Sequence, residues 1–530
     1  MNIWIKRTLF GIIISVGFVF RFYELGNVPD SLNWDEVSWG YNAYSIAETF
    51  HDEHGDFMPL TFEAFGDYKQ PVYVYLTAAS VKMFGLNAFA VRAPSAILGV
   101  LTIPFVFLLV YSLFRKNRDV VKISFAAMAL FAISPWSIQF SRVAYEANVG
   151  LFFLIAGSAL FIYGLSSERT KYLYLAMIPF VISGYSYHSQ KLFTPLLLVV
   201  LLSFAYFAYK LRKKTIVIML FIFLAGSIFW ILDSRTTARG RSVTFVSSQT
   251  ELLKDSTQRL IYSQENNEIL GQVMNNRRVV YAQKYTENYL SHFNPNYLFL
   301  NGDNARHHAY GMGILYLVSL PFIIIGMVKI DKRYGIVVFG WFLLAPVASS
   351  LAIDAPNASR SMVFLPTWHL FEAIGLIYIL QRYWMRKIVV GFIVFLYLFS
   401  VGYFTHQYFA HTNSEYDEYW QGGYREAIEK TLQLDSKSKV VFSSSFEQPH
   451  IFYLFYTKYN PSKYIAEGGS KRIKSSCYTI ENVYFGECQK ELVAGDFFIL
   501  SGEKVPSGMK KVEDLRRFNG EIFGGIYKYL

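Results

Sequence analysis

Long apolar runs, each closed by a short polar or basic interval, set the rhythm of the chain over its first three quarters. A hydrocarbon layer about 30 Å thick takes roughly twenty apolar residues as a helix. Runs of that kind are centred near residues 12, 102, 130, 156, 180, 201, 223, 319, 343, 370 and 396. The pattern predicts a polytopic α-helical membrane protein with about eleven transmembrane helices. The first outside loop, 23–87, departs from the rhythm. Val37, Tyr41, Tyr44 and Ile46 lie among polar residues after Glu36, and the aromatic run Val72–Phe84 is short and interrupted. Both segments are expected to be interfacial helices. A long outside loop, 234–310, is polar, with little periodicity before Val279–Leu290. From about His406 the composition shifts. Tyr424–Leu434 and Ile451–Tyr459 read as helices, and Lys439–Ser444, Phe497–Leu500 and Ile522–Tyr529 as strands. The expected organisation is a transmembrane domain, 1–405, followed by a small extracytoplasmic α/β domain, 406–530.

The composition agrees: 53% of the residues are hydrophobic and 17% charged. A net charge of +11 would suit nucleic acid, but its distribution argues against that partner. The cations gather in short loops on alternate sides of the spans: Lys6-Arg7, Arg115-Lys116-Arg118, Arg169 and Lys171, Arg212-Lys213-Lys214, Lys329-Lys332-Arg333, and Arg382-Arg386-Lys387. This is the positive-inside pattern. It implies a multi-pass plasma-membrane protein with a cytoplasmic N-terminus and an outside tail. Met1–Phe22 looks like a signal peptide, but Arg21-Phe22-Tyr23-Glu24-Leu25 offers no small-residue cleavage site, so a retained span is expected. Cys477 and Cys488 both lie in the tail, and either a disulfide or two free thiols fits. No inverted repeat of the transporter kind is visible.

Candidate chemistry collects at the outer ends of the spans. Asp35 and Glu36 follow Trp34 in the first outside loop. A carboxylate where water meets lipid can accept a proton from an attacking hydroxyl or amine; Asp is equally a preferred N-cap for the helix that follows. Glu146 sits in a second outside turn at a span end, where an acid suggests function; an ion pair with Arg142 four residues earlier is the plainer alternative. Lys69, Lys191, Arg360 and the pair Arg306-His307 are outer-surface groups suited to phosphate. Each alone could be snorkelling; as a set they favour an anionic ligand. Arg235, Arg239 and Arg241 are weaker candidates of the same sort. His51-Asp52-Glu53-His54-Gly55-Asp56 has the residue types of a metal site, but Gly55 and Pro59 mark it as a turn. With no glycine-rich phosphate loop and no redox cysteine pair, the expected energy source is a lipid-linked donor that reaches the outer face by itself.

Taken together, Trp34-Asp35-Glu36, Tyr68-Lys69-Gln70-Pro71-Val72-Tyr73, Phe84-Gly85 and Val91-Arg92-Ala93-Pro94-Ser95 resemble the C-type integral-membrane glycosyltransferases. The likeness is greatest to the protein O-mannosyltransferase and aminoarabinose transferase branch, and it runs through Ser141–Asn148 and Tyr185–Pro195 over roughly the first 370 residues. The resemblance implies transfer of a sugar from a polyprenyl-phosphate donor to a lipid, glycan or protein acceptor, by a single inverting displacement. It implies Asp35 as general base, Glu36 as its helper and Glu146 as an acid that orients the acceptor. Lys69, Arg360 and Lys191 would meet the donor phosphate. Arg142, Tyr68, His188, Arg306 and His307 are possible substrate-binding residues. No cofactor and no divalent metal are expected. Gln70 departs from the usual Pro and leaves the local turn open. The alternative from another class is a transporter or lipid flippase with the outer acids as proton relays. It predicts charge at mid-span, whereas the acids are expected to cluster at the outer ends of the spans. A non-catalytic envelope scaffold leaves Asp35, Lys69 and Glu146 unexplained.

Overall fold

The computed structural model describes residues 2–233, 235, 244–245, 249–474, 477–488, 491–502 and 505–530. Every expected span centre falls on or at the edge of a helix. Among the described residues, seven helices are long and apolar enough to cross a bilayer. An eighth crossing is possible if Val120–Ile133 and Pro135–Arg142, bent by 51°, act together. The bend falls at Pro135, which has no N–H to continue the ladder. The count of eleven is not reached by this measure. Ser319–Lys329 has only 11 residues and Thr170–Ser186 only 17, while Lys332–Ser349 opens on two cations.

The described chain folds as two compact units. The first comprises Met1–Phe20, Leu98–Phe140 and Tyr145–Tyr403. Its interior is one continuous apolar cluster that includes Ile103, Met128, Leu151, Phe180, Leu197, Trp341 and Phe371. Helices Ser319–Lys329 and Leu365–Tyr383 cross backbone to backbone. A Cβ at Gly326 would fall 1.8 Å from the Phe371 carbonyl oxygen, and one at Gly375 would fall 1.9 Å from that of Phe322. Small residues at such crossings let membrane helices pack closely. An acid lies beside this crossing. Glu372 accepts hydrogen bonds from Tyr397 Oη (2.8 Å) and Ser319 Oγ and pairs with His369 Nδ1 (2.8 Å). One buried carboxylate thereby ties three helices. It sits inside the apolar segment Met362–Tyr383, so acids are not confined to the span ends.

The second unit comprises Arg21–Ile97, Ser141–Ala144 and Phe404–Leu530, so the loop after the first span and the tail fold together. Helix Trp34–Thr49 packs on Pro71–Phe84 and on two tail helices, Pro449–Tyr456 and Pro461–Ala466. At Gly40 a Cβ would lie 2.5 Å from a Phe455 ring carbon, so only glycine permits this approach. Tyr41 Oη donates to the Tyr459 carbonyl (3.1 Å). The His51–Asp56 segment is a structural turn. Asp52 accepts from the His54 and Asp56 amides at 2.9 Å each. Buried Glu53 accepts from Asn42 Nδ2 (2.8 Å) and Ser470 Oγ (2.7 Å).

Two short strands in the first loop, β1 (Phe62–Ala64) and β2 (Asp67–Lys69), form a hairpin. The tail carries a six-stranded sheet of β3 (Val440–Phe442), β4 (Cys477–Ile480), β5 (Val483–Gly486), β6 (Phe497–Ser501), β7 (Met509–Arg516) and β8 (Ile522–Tyr529). Its order is β4-β5-β3-β6-β8-β7, with β3 parallel to β5 and β6 and the other pairs antiparallel. The apolar strands β3, β6 and β8 match the expectation. The edge strand β7 is mostly polar and carries no hydrophobic run to announce it. Cys477 and Cys488 form a disulfide between β4 and the segment after β5. Reduction should destabilise the tail by about 2–4 kcal/mol. Melting the purified protein with and without reductant checks this; coincident transitions would show that the bond does not stabilise the tail.

Candidate active site

In the second unit the site grows from one helix start. Asn33 is the N-cap: its Oδ1 accepts from the amides of Asp35 (2.9 Å) and Glu36 (3.1 Å), and Glu36 returns a carboxylate to the Asn33 amide (3.2 Å). This is a capping box, so the capping role falls to Asn33 and not to Asp35. Two acids in the first turn also suit the positive end of the helix dipole. Because neighbours on a helix diverge by about 100°, the two carboxylates have different fates. Glu36 points inward and is 0% exposed. Arg92 meets it with Nε (2.9 Å) and Nη2 (3.2 Å), and the Ala144 amide donates to it at 3.1 Å. Arg92 also donates to the carbonyls of Leu25 (3.2 Å), Pro29 (2.7 Å) and Ser31 (2.8 Å). The pair clamps the first loop. Asp35 faces outward, its side chain 36% exposed.

Lys69, at the end of β2, brings its ammonium onto the Asp35 carboxylate across 34 residues of sequence. The ammonium also lies 4.6 Å from the centre of the Trp39 ring and 5.3 Å from that of Phe65. Tyr68 is half-buried beside it, and Gln70 is the buried N-cap residue of Pro71–Phe84, with Pro71 at the first helical position. Arg142 donates to the carbonyls of Tyr23 (2.6 Å), Glu24 (3.2 Å) and Val28 (3.1 Å), and its guanidinium lies over the rings of Tyr408 and Phe409.

The first unit gathers the remaining candidates by stitching inter-helix turns together. Glu146 is buried at the start of helix Glu146–Ser166. The ring of its neighbour Tyr145 lies 5.7 Å from His307. His307 Nδ1 pairs with Asp303 at 2.7 Å, and the same carboxylate oxygen accepts from the Ala358 amide at 2.8 Å. The Arg306 carbonyl accepts from Gln139 Nε2 (2.8 Å), and the Ala358 carbonyl from Trp136 Nε1 (3.2 Å). Tyr187, just before His188, bonds Ser359 at 3.2 Å. His188 and Lys191, both half-buried, open helix His188–Tyr209. Arg360 is ion-paired with Asp354. The turns bearing Glu146, Lys191, Arg306-His307 and Arg360 thus meet in one place. Asp303 is the pivot. Burial works against its charge, but His307 beside it and the donating amides hold its carboxyl below the usual range. Arg235 pairs with Asp233 at 3.1 Å; Arg239 and Arg241 lie outside the described residues.

The sequence patterns assign no role to Trp39, Phe65, Arg92 or Asp303. Trp39 was findable at i+4 from Asp35, and Asp303 at i−4 from His307. Arg92 stands out as a cation opening an apolar helix. Nothing local marks Phe65.

No curated protein matches the chain in sequence. Residues 11–238 match the family of dolichyl-phosphate-mannose-protein mannosyltransferases. Among solved structures, the chain is similar to ArnT from Cupriavidus metallidurans bound to undecaprenyl phosphate, with a TM-score of 0.54 and 10% identity over 99% of this chain and 98% of that one. It is also similar to the Archaeoglobus fulgidus oligosaccharyltransferase tethered with an acceptor peptide, with a TM-score of 0.52 and 13% identity. There the match covers 86% of this chain and only 63% of the archaeal one. In fold the chain is similar to C-type integral-membrane glycosyltransferases, and over residues 11–238 its sequence resembles the dolichyl-phosphate-mannose-protein mannosyltransferases.

Proposed function

We propose that this protein is a membrane glycosyltransferase that moves a sugar from a polyprenyl-phosphate carrier to an acceptor on the extracytoplasmic face. The observation that carries the reading is the pairing of Lys69 with Asp35 at a half-open helix start. In this mechanism Asp35 takes the proton of the acceptor hydroxyl or amine as that atom attacks the anomeric carbon. The bond from that carbon to the carrier phosphate breaks with inversion, and its electron pair goes to the phosphate oxygen. Lys69 stabilises the charge that gathers there. In this structure Lys69 pairs with Asp35. A donor phosphate competes for the ammonium and leaves Asp35 available as a base.

Glu36, spent on Arg92 and two amides, supports this by fixing the helix start that carries Asp35. For Glu146, Lys191, His188, Arg306, His307, Arg360, Tyr68 and Arg142 the resemblance supplies the proposed roles in acceptor orientation and substrate or phosphate binding. The disulfide in the tail supports an oxidising, extracytoplasmic setting for it, with the N-terminus cytoplasmic and the spans in the plasma membrane. ArnT bound to undecaprenyl phosphate supports a lipid phosphate as the donor's carrier.

The test is transfer of label from a polyprenyl-phosphate sugar by the purified protein in nanodiscs. Product formation is expected, and Lys69→Ala should raise the donor KM about 10- to 100-fold, the worth of a hydrogen bond to a charged group. Movement of the lipid across liposomes with no product would refute the enzyme and favour a flippase.

A further inference from the structure

The β1–β2 hairpin turns on only two residues, Phe65 and Gly66, since Ala64 pairs with Asp67. Both are left-handed, with φ of 57° and 73°. A two-residue turn with positive φ twice is the type I′ hairpin, which favours Asn-Gly. Gly66 obeys the rule. Phe65 does not: a bulky side chain there is a conformational outlier that local preference would replace. Strain of this kind persists where surrounding contacts over-determine it, and it gathers at functional sites.

Two contacts account for the ring. It meets the Lys69 ammonium, 5.3 Å from the ring centre, while Trp39 approaches the same ammonium at 4.6 Å. The His450 ring of the tail also stands edge-on to it, with centres 6.4 Å apart. His450 is itself anchored, sharing a 2.8 Å hydrogen bond through Nδ1 with Tyr478 Oη. Burial, with His54 nearby, lowers the His450 pKa to about 3. The ring backing Phe65 is therefore uncharged at neutral pH and does not repel Lys69.

We infer that Phe65 is a positioning residue, kept in a disfavoured backbone conformation because its ring and that of Trp39 together seat the Lys69 ammonium, with His450 of the tail as the backstop. The inference rests on the proposed role of Lys69 at the donor phosphate. It gives the tail a part in donor binding without any contact to donor.

The test exploits the turn rule. Phe65→Asn creates the preferred Asn-Gly pair, so the full-length protein in nanodiscs should melt at or above the wild-type temperature. Its donor KM, and its Kd for farnesyl phosphate, should nonetheless rise about 5- to 30-fold, the range expected for a lost cation–π contact. Phe65→Tyr, which keeps the ring, should bind as wild type does. Unchanged KM and Kd in Phe65→Asn would overturn the inference. So would a lowered melting temperature with Phe65→Tyr equally impaired, because that marks Phe65 as merely structural. Lys69→Ala separates the two levels: unimpaired donor binding refutes the proposed role of Lys69 and the seat with it. Impaired donor binding there, with Phe65→Asn intact, refutes only the seat.

Discussion

Asp35→Asn should leave a folded protein whose kcat for sugar transfer falls about 100- to 10,000-fold, the usual contribution of a positioned general base. The amide fills the same volume but cannot take up a proton. The fold should survive because the side chains that complete the capping box are those of Asn33 and Glu36, and Asp35 takes part only through its backbone amide. Its carboxylate is also half-open, so the amide that replaces it keeps access to water. Lys69 keeps Trp39 and Phe65 as neighbours after the change. Turnover of a labelled polyprenyl-phosphate sugar, with melting as a control, decides the matter. Undiminished turnover would remove Asp35 from the mechanism. A melt lowered in step with activity would show that the residue is structural.

Arg92→Met should cost about 3–5 kcal/mol of stability, the penalty for stripping one partner from a buried ion pair. The pair is wholly enclosed, with neither side chain exposed, so the orphaned Glu36 carboxylate would have no water to turn to. Three backbone carbonyls of the first loop would lose their donor at the same time. Activity should fall with stability, since the strand of chain that enters the Asp35 helix is what Arg92 holds. The double variant Glu36→Met/Arg92→Met should recover part of the loss, because two apolar side chains leave no uncompensated charge. Thermal unfolding of the single and double variants checks both statements. A single variant as stable as wild type would mean that the clamp does not hold the loop.

Much of the architecture follows from elements that act locally. Apolar runs of span length become helices wherever they occur, and the expected centres from residue 12 to residue 396 all coincide with helical segments. The helix after Asn33 is set by a capping box within four residues, and the apolar strands β3, β6 and β8 announce themselves by their side chains. Asp35 and Lys69 can be singled out from the sequence by residue type alone, but that they pair is visible only in the structure.

Other features exist only between distant parts of the chain. Whether Glu36 would be a helper acid or a clamp depended on Arg92 and Ala144, residues 56 and 108 positions away. The Lys69 seat needs a hairpin, a helix and a tail residue some 380 positions downstream to meet. The intramembrane acid Glu372 is stable only because Ser319 and Tyr397 come from other helices. By itself the sequence determined a membrane chain with an acid and a cation in the loop after its first span, since hydrophobic length and charge are properties of single segments. Tertiary structure alone decided which carboxylate is buried, which remains open, and what surrounds the lysine. Desolvation and pairing belong to neighbours in space, and no local stretch of chain specifies them.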